Sequence, residues 1–325
     1  MNSIKVSDNS NNYSIVDEAY LVNSNLTNWA GWLCSIGQIN IDIRENGNVL
    51  GGNCPQRLKY GNLYDPNFIF NPIKNFSICT QSKCICFHDI SIHKLKNKKY
   101  LTGSNLVKKS ELKDLVSILP TDYDKYDYKI TWLLHTKCNF LCSYCPPNLH
   151  SGKTIDINAI EIGFLNFCKI FSNNKIMLNF LGGEPTLYDD LPDKIKMIKE
   201  LNSTNRILIT TNGSRSFKYL KTLAKYAELS FSIHLHQLSI HKLADKINQF
   251  SKCTDIQPFQ VHILYPSTSD NLLKDFLNKL DNINYYIRVI KLREMYNDSR
   301  IDYYKYSFKQ NKLIQELNNY FENLN

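Results

Sequence analysis

The stretch 138-CNFLCSYC-145 decides how this chain is interpreted. It places Cys138, Cys142 and Cys145 in a C-x-x-x-C-x-x-C loop, directly after a short apolar run typical of a β-strand. Thiolates at such short spacings can wrap one soft metal centre. Three thiolates leave one iron of a four-iron cluster open, and a polar ligand can bind there. The spacing therefore predicts an iron-sulfur site with an open coordination position.

Zinc is the alternative for the same loop. A structural zinc site normally has four protein ligands, so a fourth side chain would have to join the three cysteines. His135 or His150 could supply it. The loop alone leaves both metals open.

The chain after residue 120 alternates β-like and amphipathic helical patterns, which predicts parallel strands joined by helices. The predicted strands are Ile130–Leu134, Ile176–Leu181, Arg206–Thr210, Leu229–Ile233, Gln260–Leu264 and Tyr285–Leu292. Predicted helices include Ile157–Phe171, Leu191–Leu201, Phe217–Tyr226 and a closing helix Leu313–Leu324. Right-handed crossovers would curl such a sheet toward a barrel. A closed barrel needs eight strand–helix units, and only six are predicted here. The pattern therefore predicts an α/β fold with a partial (β/α)6 TIM-like barrel and a small cysteine-rich N-terminal domain.

Polar motifs follow three of the other predicted strands. The chain has Leu181-Gly182-Gly183-Glu184-Pro185 after the second, Thr210-Thr211-Asn212-Gly213 after the third, and Ser232-Ile233-His234 at the end of the fourth. The carboxyl ends of parallel strands form one rim, where active sites lie. Glycines allow a ligand to approach the backbone, and Glu184 supplies a carboxylate for an ammonium group. Taken singly, Asn212-Gly213 fits a plain turn and His234 a core histidine, but together they predict a ligand site beside the cysteines.

The cysteine loop followed by G-G-E-P one strand later resembles the radical S-adenosylmethionine (radical SAM) superfamily over roughly Lys129 to Leu292. The resemblance implies an oxidoreductase in which Cys138, Cys142 and Cys145 hold a 4Fe-4S cluster. It also implies that S-adenosyl-L-methionine chelates the open iron and contacts Tyr144, Gly182, Gly183 and Glu184. The same resemblance assigns Thr210, Asn212, Ser232 and His234 to the ribose and methionine pocket. It also implies that Arg288 faces the cofactor or the substrate. An electron donor such as flavodoxin or ferredoxin is implied as a partner.

Five further cysteines precede the predicted barrel. Together with nearby glycines they resemble the auxiliary-cluster extensions of radical SAM enzymes, called SPASM and twitch, although those usually follow the barrel. The resemblance implies a second iron-sulfur cluster, and structural zinc is the alternative. It also favours a peptide or other polar small-molecule substrate, with a carbohydrate- or nucleotide-linked reaction, or a non-catalytic metal protein, as alternatives. The candidate ligands are Cys34, Cys54, Cys79, Cys84 and Cys86.

Two domains are expected, residues 1–120 with the auxiliary cluster and a linker, and 121–325 with the barrel. The Lys-rich stretch Lys94 to Lys113 and the segment Pro120 to Tyr128 are the candidate linker. No signal-peptide pattern begins at Met1, and no run reaches the roughly 18 apolar residues of a membrane span, so a cytoplasmic protein without a membrane partner is expected. Ten cysteines in a reducing compartment favour metal chemistry over disulfides. The net charge is +9, but the lysine and arginine residues are scattered along the chain and mixed with acidic ones, which argues against a nucleic-acid partner.

Overall fold

The protein was analysed as a computed structural model. It describes residues 4–8, 13–16, 21, 27–54, 56–82, 84, 92–96, 115–120, 125–142, 144–145, 156–237, 240–265, 270–281, 283–291, 293–295, 301–303 and 307–323. The chain divides into two compact units. The first comprises residues 1–132 and 158–177, and the second comprises 133–157 and 178–325.

The first unit contains a six-stranded sheet built from distant parts of the chain. Its strands are β1 (Ile4–Asp8), β2 (Tyr13–Val16), β3 (Leu33–Cys34), β7 (Ser77–Ile78), β8 (Lys94–Leu95) and β9 (Leu115–Pro120). They lie in the order β2-β1-β9-β8-β3-β7. β1 pairs antiparallel with β9, and Ile4 lies opposite Pro120. This sheet supports an apolar cluster that includes Trp29, Trp32 and Ile92.

A second group of strands in the first unit surrounds a helix. The elements are β4 (Asn40–Ile43), β5 (Asn48–Leu50), β6 (Lys59–Asn62), β10 (Tyr128–Leu133) and α1 (Ile157–Phe171). β10 runs parallel to β4, and β4 and β6 each pair antiparallel with β5. The side-chain amide of Asn166 on α1 donates to the carbonyl oxygens of Leu63 and Asp65 at 2.8 and 2.7 Å. These two bonds fasten the helix to the turn that follows β6.

The second unit alternates strands with helices. It contains β11 (Ile176–Leu181), α2 (Leu191–Leu201), β12 (Arg206–Thr211), α3 (Phe217–Ala224), β13 (Glu228–His234), α4 (Ile240–Ser251), β14 (Phe259–Tyr265), α5 (Asp270–Leu277), β15 (Tyr286–Lys291), β16 (Arg293–Met295), β17 (Ile301–Tyr303) and α6 (Phe308–Glu322). β12, β13, β14 and β15 are neighbours in that order, and each adjacent pair is parallel. Along β13, Phe231 is buried against Phe250 of α4, and the alternate residues Ser232 and His234 line a cavity.

The predicted α/β class and the parallel arrangement are confirmed. All six predicted barrel strands are present within two residues of their predicted ends, because period-two alternation marks strands that are covered on one side by helices. The closing helix begins at Phe308 rather than Leu313, because Ser307 and Gln310 form a capping box. None of the helices within the described residues has the length and apolar character needed to cross a membrane.

The N-terminal region is more regular than its composition predicts. The sequence predicts two short β segments there, Gln38 to Arg44 and Val49-Leu50, which correspond to β4 and β5, and the structure adds β1, β2, β3 and β6 to β9. The predicted linker begins inside a strand, since Lys94 belongs to β8, and residues 97–114 lie outside the described part of the chain. The division at 120/121 remains a prediction. The compact units instead group most of β10 and α1 with the N-terminal chain.

Candidate active site

One cavity of about 380 Å³ in the second unit collects the predicted site residues. Its volume lies within the range of roughly 300–1,000 Å³ that is usual for ligand pockets. The wall consists of Leu133, Cys138, Phe140, Cys142, Cys145, Leu181, Gly182, Gly183, Glu184, Thr210, Thr211, Asn212, Ser232, His234 and Leu264. The three cysteines of the loop therefore face the same space as the polar ends of β11, β12 and β13.

The two glycines allow the loop after β11 to lie against the segment that leads into the cysteines. Gly183 N–H donates to the carbonyl oxygen of His135, and Glu184 N–H to that of Lys137, both at 2.8 Å. A Cβ on Gly182 would stand 2.4 Å from the His135 oxygen, and one on Gly183 would stand 2.1 Å from the Lys137 oxygen. Gly182 also has a φ of 136°, which side-chain-bearing residues rarely adopt. The glycines are thus needed where two stretches of backbone meet.

Glu184 joins this loop to the end of β12. Its Oε1 accepts from Thr186 N–H at 3.1 Å, Thr186 Oγ1 at 2.5 Å and Thr211 Oγ1 at 2.7 Å, and its Oε2 accepts from Asn212 N–H at 2.6 Å. The residue is 1% exposed, and burial raises the pKa of its carboxyl group although these donors oppose the shift. Among the described residues, Oε2 has only one donor, so this oxygen retains a lone pair for a ligand in the cavity.

His234 lies between Tyr144 and Cys142. Its Nδ1 is 2.6 Å from the Tyr144 hydroxyl and 3.2 Å from Cys142 Sγ. The Tyr144 and His234 rings are parallel, with centroids 5.9 Å apart. Burial, and next the charge of His236, lower the pKa of His234 to about 4, so its imidazole is neutral at physiological pH. A neutral imidazole and a phenol together can orient one cysteine sulfur without adding charge.

The other two cysteines have different surroundings. The Asn212 side-chain amide lies 3.9 Å from Cys138 Sγ and donates to Asn139 Oδ1 at 3.0 Å. Burial is the main reason that the pKa of each of the three thiols is raised, that of Cys145 to about 11. The thiols are therefore protonated near neutral pH, and metal binding must release their protons.

Of the two histidines proposed as a fourth zinc ligand, the structure describes only His135, and it does not line this cavity. His135 is buried, and neither ring nitrogen has a hydrogen-bond partner among the described residues. Burial lowers the pKa of His135 to about 4. It is not among the residues that line the cavity, and His150 lies outside the described residues.

Over the described ranges, no three His, Cys, Asp or Glu side chains are placed to hold one metal ion. A four-iron cluster does not require ligands to converge on a single point, because each thiolate binds a different iron. The three thiols and the polar groups that line the same cavity fit such a cluster with a ligand beside it.

The structure brings together all three predicted cysteines of the loop and seven of the eight predicted cofactor residues. The eighth, Tyr144, contacts His234. Their roles in binding remain predictions. Thr211 was not predicted, because its neighbour Thr210 has the same chemistry and only the fold shows that both reach the cavity. The apolar residues Leu133, Leu181 and Leu264 could have been found, since each lies at the carboxyl end of a predicted strand.

Four of the N-terminal cysteines lie around a single core in the first unit. Cys34 and Cys79 belong to the apolar cluster of Trp29 and Trp32, and Cys54 and Cys84 pack against it. Their backbones are tied to the same region, as Cys79 N–H donates to the Trp32 carbonyl at 2.7 Å and Cys84 N–H to that of Thr27 at 2.8 Å. Cys86, the fifth predicted ligand, lies outside the described residues.

Gln56 links the Cys54 segment to the Cys79 segment. Its side-chain amide donates to the Ile78 carbonyl at 3.1 Å, and its oxygen accepts from Thr80 N–H at 2.9 Å. The two bonds flank Cys79 on both sides. The side chain of Gln56 thus connects the segment of Cys54 to the residues on either side of Cys79.

Comparison with known proteins gives a family match over residues 132–253, to the radical SAM superfamily. The matched range begins in β10 and ends just after α4, so it includes the cysteine loop and most of the cavity wall. Apart from Leu264, the residues that line the cavity lie within the matched region.

Several curated relatives are named GTP 3',8-cyclase. The enzyme of Campylobacter jejuni subsp. doylei is 32% identical over 136 residues, which is 39% of this chain and 41% of the relative. A probable GTP 3',8-cyclase of Methanococcus aeolicus is 26% identical over 198 residues, or 56% of this chain and 63% of the relative. In both cases the chain covers less than two thirds of the relative. Among solved structures, Streptococcus suis SuiB matches with a TM-score of 0.38 and 17% identity, over 60% of this chain and 46% of that chain.

Proposed function

We propose that this chain, a member of the radical SAM superfamily through its domain at residues 132–253, cleaves S-adenosylmethionine reductively and takes a hydrogen atom from a nucleotide substrate. The observation that carries the proposal is the cavity lined jointly by Cys138, Cys142, Cys145 and the Gly182–Glu184 turn. A 4Fe-4S cluster held by these three cysteines would supply the one electron that cleaves the sulfonium to methionine and a 5'-deoxyadenosyl radical.

The residues of the chain bind and orient the cofactor in this proposal. Glu184 lines the cavity, and its Oε2, which has one donor among the described residues, accepts a hydrogen bond from the amino group of S-adenosylmethionine. Thr210 and Ser232 offer hydroxyl groups to its ribose and carboxylate. The apolar side chains of Leu133, Leu181 and Leu264 line the cavity and keep solvent and stray hydrogen-atom donors away from the reacting groups.

In this proposal, the side chains of Asn212, Tyr144 and His234 interact with the sulfur atoms of the cysteines. The Asn212 amide lies next to Cys138, and the Tyr144–His234 pair next to Cys142. Hydrogen bonds to the sulfur ligands of an iron-sulfur cluster are one determinant of its reduction potential. These three side chains are therefore positioned to adjust how readily the cluster accepts its electron.

Radical SAM enzymes need a reductant, and a flavodoxin or ferredoxin is the proposed electron donor. Both are small proteins of the reducing cytoplasm, which is the proposed location of this chain. The same compartment keeps the ten cysteines available for metal rather than for disulfides.

A second metal centre in the N-terminal unit is part of the proposal. What supports it is that Cys34 and Cys79 belong to one apolar cluster and that Cys54 and Cys84 pack against the same cluster. Cys86 remains a candidate ligand by its sequence.

A nucleotide is the proposed substrate class because curated relatives of this chain are named for a reaction of GTP. The net charge of +9 also favours an anionic substrate over a neutral one. A peptide substrate stays a prediction that rests on the resemblance of the N-terminal cysteines to auxiliary-cluster extensions.

Isotope transfer tests the substrate class. The reconstituted protein is reduced and supplied with S-adenosylmethionine and GTP carrying deuterium on every ribose carbon, and 5'-deoxyadenosine is examined by mass spectrometry. We expect deuterium in 5'-deoxyadenosine from GTP, none from deuterated ribose alone, and no product from Cys145→Ala. If 5'-deoxyadenosine forms but takes up no deuterium from GTP, ATP, GDP or ADP, a nucleotide substrate is excluded. The proposed cleavage of S-adenosylmethionine would not be affected by that result.

A further inference from the structure

A lysine on α4 is bonded to the loop that follows β12. Lys246 Nζ donates to the backbone carbonyl oxygens of Gly213 and Arg215, at 2.5 and 2.6 Å. Both acceptors lie in the short segment between β12, which ends at Thr211, and α3, which begins at Phe217. The lysine thus connects a helix to a loop that precedes it by 33 residues in the chain.

The ammonium group of Lys246 is held where water reaches it poorly. The residue is half-buried, and burial lowers the pKa of its ammonium group. Removing a charged group from water is unfavourable unless hydrogen-bond acceptors replace the water. Hydrogen bonds that involve a charged group are about twice as strong as neutral ones. Because the two acceptors lie on either side of Ser214, these bonds fix the backbone around that residue.

Ser214 in turn orients the side chain of Asn212. Ser214 N–H donates to Asn212 Oδ1 at 3.0 Å. With the amide oxygen bonded on this side, Asn212 Nδ2 donates to Asn139 Oδ1 at 3.0 Å and lies 3.9 Å from Cys138 Sγ. A continuous series of contacts therefore leads from Lys246, through the backbone at Ser214 and the amide of Asn212, to a cysteine of the loop.

We propose that Lys246 is a positioning residue, which fixes the loop after β12 so that the Asn212 amide stays directed at the sulfur of Cys138. Lys246 is not among the residues that line the cavity, so it acts through Asn212. A hydrogen bond to a thiolate ligand offsets part of the negative charge that a reduced cluster carries, so its loss lowers the reduction potential. The inference rests on the 4Fe-4S cluster of the proposed function and goes beyond it by assigning a residue outside the cavity wall.

The first test uses metal-free protein and measures the loop alone. Lys246→Met keeps the apolar stem but removes the donor. We expect backbone amide hydrogen exchange across residues 212–216 to become about ten times faster, the weight of one hydrogen bond to a charged group. Lys246→Arg, which can donate to both carbonyls, should exchange close to the parent rate. The matched control is Lys242→Met, since Lys242 is exposed one turn earlier on α4.

The second test measures the midpoint potential of the cluster held by the cysteine loop. The full chain is reconstituted with iron and sulfide, and the signal of Cys145→Ala protein is subtracted so that only this cluster is followed. Lys246→Met and Asn212→Ala should each shift the potential to more negative values. The double variant should shift it no further than Asn212→Ala alone, because both changes remove the same contact. Lys246→Arg should keep the potential near that of the parent, and Lys242→Met should leave it unchanged.

The outcomes separate this inference from the proposed function. Exchange at the parent rate in Lys246→Met would overturn the role of Lys246 in fixing the loop, whatever metal the protein binds. Faster exchange with an unchanged potential, or shifts that add in the double variant, would limit Lys246 to a packing role and overturn its action through Asn212. A parent that forms no cluster in the cysteine loop would overturn the proposed function, and with it the effect on the potential.

Discussion

Replacing Cys142 with alanine should abolish cleavage of S-adenosylmethionine while the N-terminal metal stays bound, and the same holds for Cys138 and Cys145. Two thiolates cannot hold a four-iron cluster with one open iron in the cavity, so no electron reaches the cofactor. Bound iron should fall from about eight to about four per chain, since each four-iron cluster is held separately. Iron and sulfide analysis, together with chromatography of 5'-deoxyadenosine, measures both effects.

Cys253→Ala is the control for that experiment. Cys253 follows α4 and its thiol donates to the Gln249 carbonyl oxygen, away from the cavity wall. This variant should keep its iron and its activity. Loss of all metal from a folded Cys142→Ala protein would contradict the presence of two separate centres.

Replacing Glu184 with alanine should lower both the stability of the protein and its affinity for S-adenosylmethionine, which is the second largest effect we expect. The carboxylate accepts buried hydrogen bonds, and Glu184 also lines the cavity. Its removal leaves the hydroxyl of Thr211 and the backbone N–H groups of Thr186 and Asn212 without their acceptor. Unsatisfied buried donors cost about 1–3 kcal/mol each, so we expect the free energy of unfolding to fall by about 3 kcal/mol. Loss of the contact to the amino group should also weaken S-adenosylmethionine binding by about one to two decades.

Glu184→Gln separates these two effects. The amide keeps one oxygen for the threonines and presents a donor where Oε2 stood, so stability should be partly restored while cofactor binding stays weak. Asp189→Ala is the neutral comparison, since that carboxylate is exposed and pairs with Arg215 on the surface. Calorimetric titration and thermal unfolding measure binding and stability. An unchanged dissociation constant in folded Glu184→Ala would remove the carboxylate from the cofactor site.

The sequence predicts the second unit well because its signals are local. Strands such as β11 and helices such as α2 are marked by their own alternation of apolar residues, and their predicted bounds match the structure. The position of the site follows, since the carboxyl ends of parallel strands share one rim. The hydrogen bonds of Glu184 could not be predicted. Its partner Asn212 lies 28 residues away, and only the pairing of loops after β11 and β12 brings them into contact.

The N-terminal unit is harder to predict because its contacts are distant along the chain. β1 pairs with β9 more than a hundred residues later, so neither strand has a local partner that reveals it. Lys94 begins a stretch rich in lysine, which by composition indicates a solvated linker. Its burial arises from the register of β8 against β3, which no local pattern records.

The most direct test of the central claim is cofactor cleavage by the full chain. Protein reconstituted anaerobically with iron and sulfide is reduced with dithionite and given S-adenosylmethionine, and the products are quantified. The account predicts methionine and 5'-deoxyadenosine in equal amounts from the parent and neither from Cys145→Ala. A folded parent that carries a four-iron cluster in the cysteine loop and leaves S-adenosylmethionine intact would contradict it.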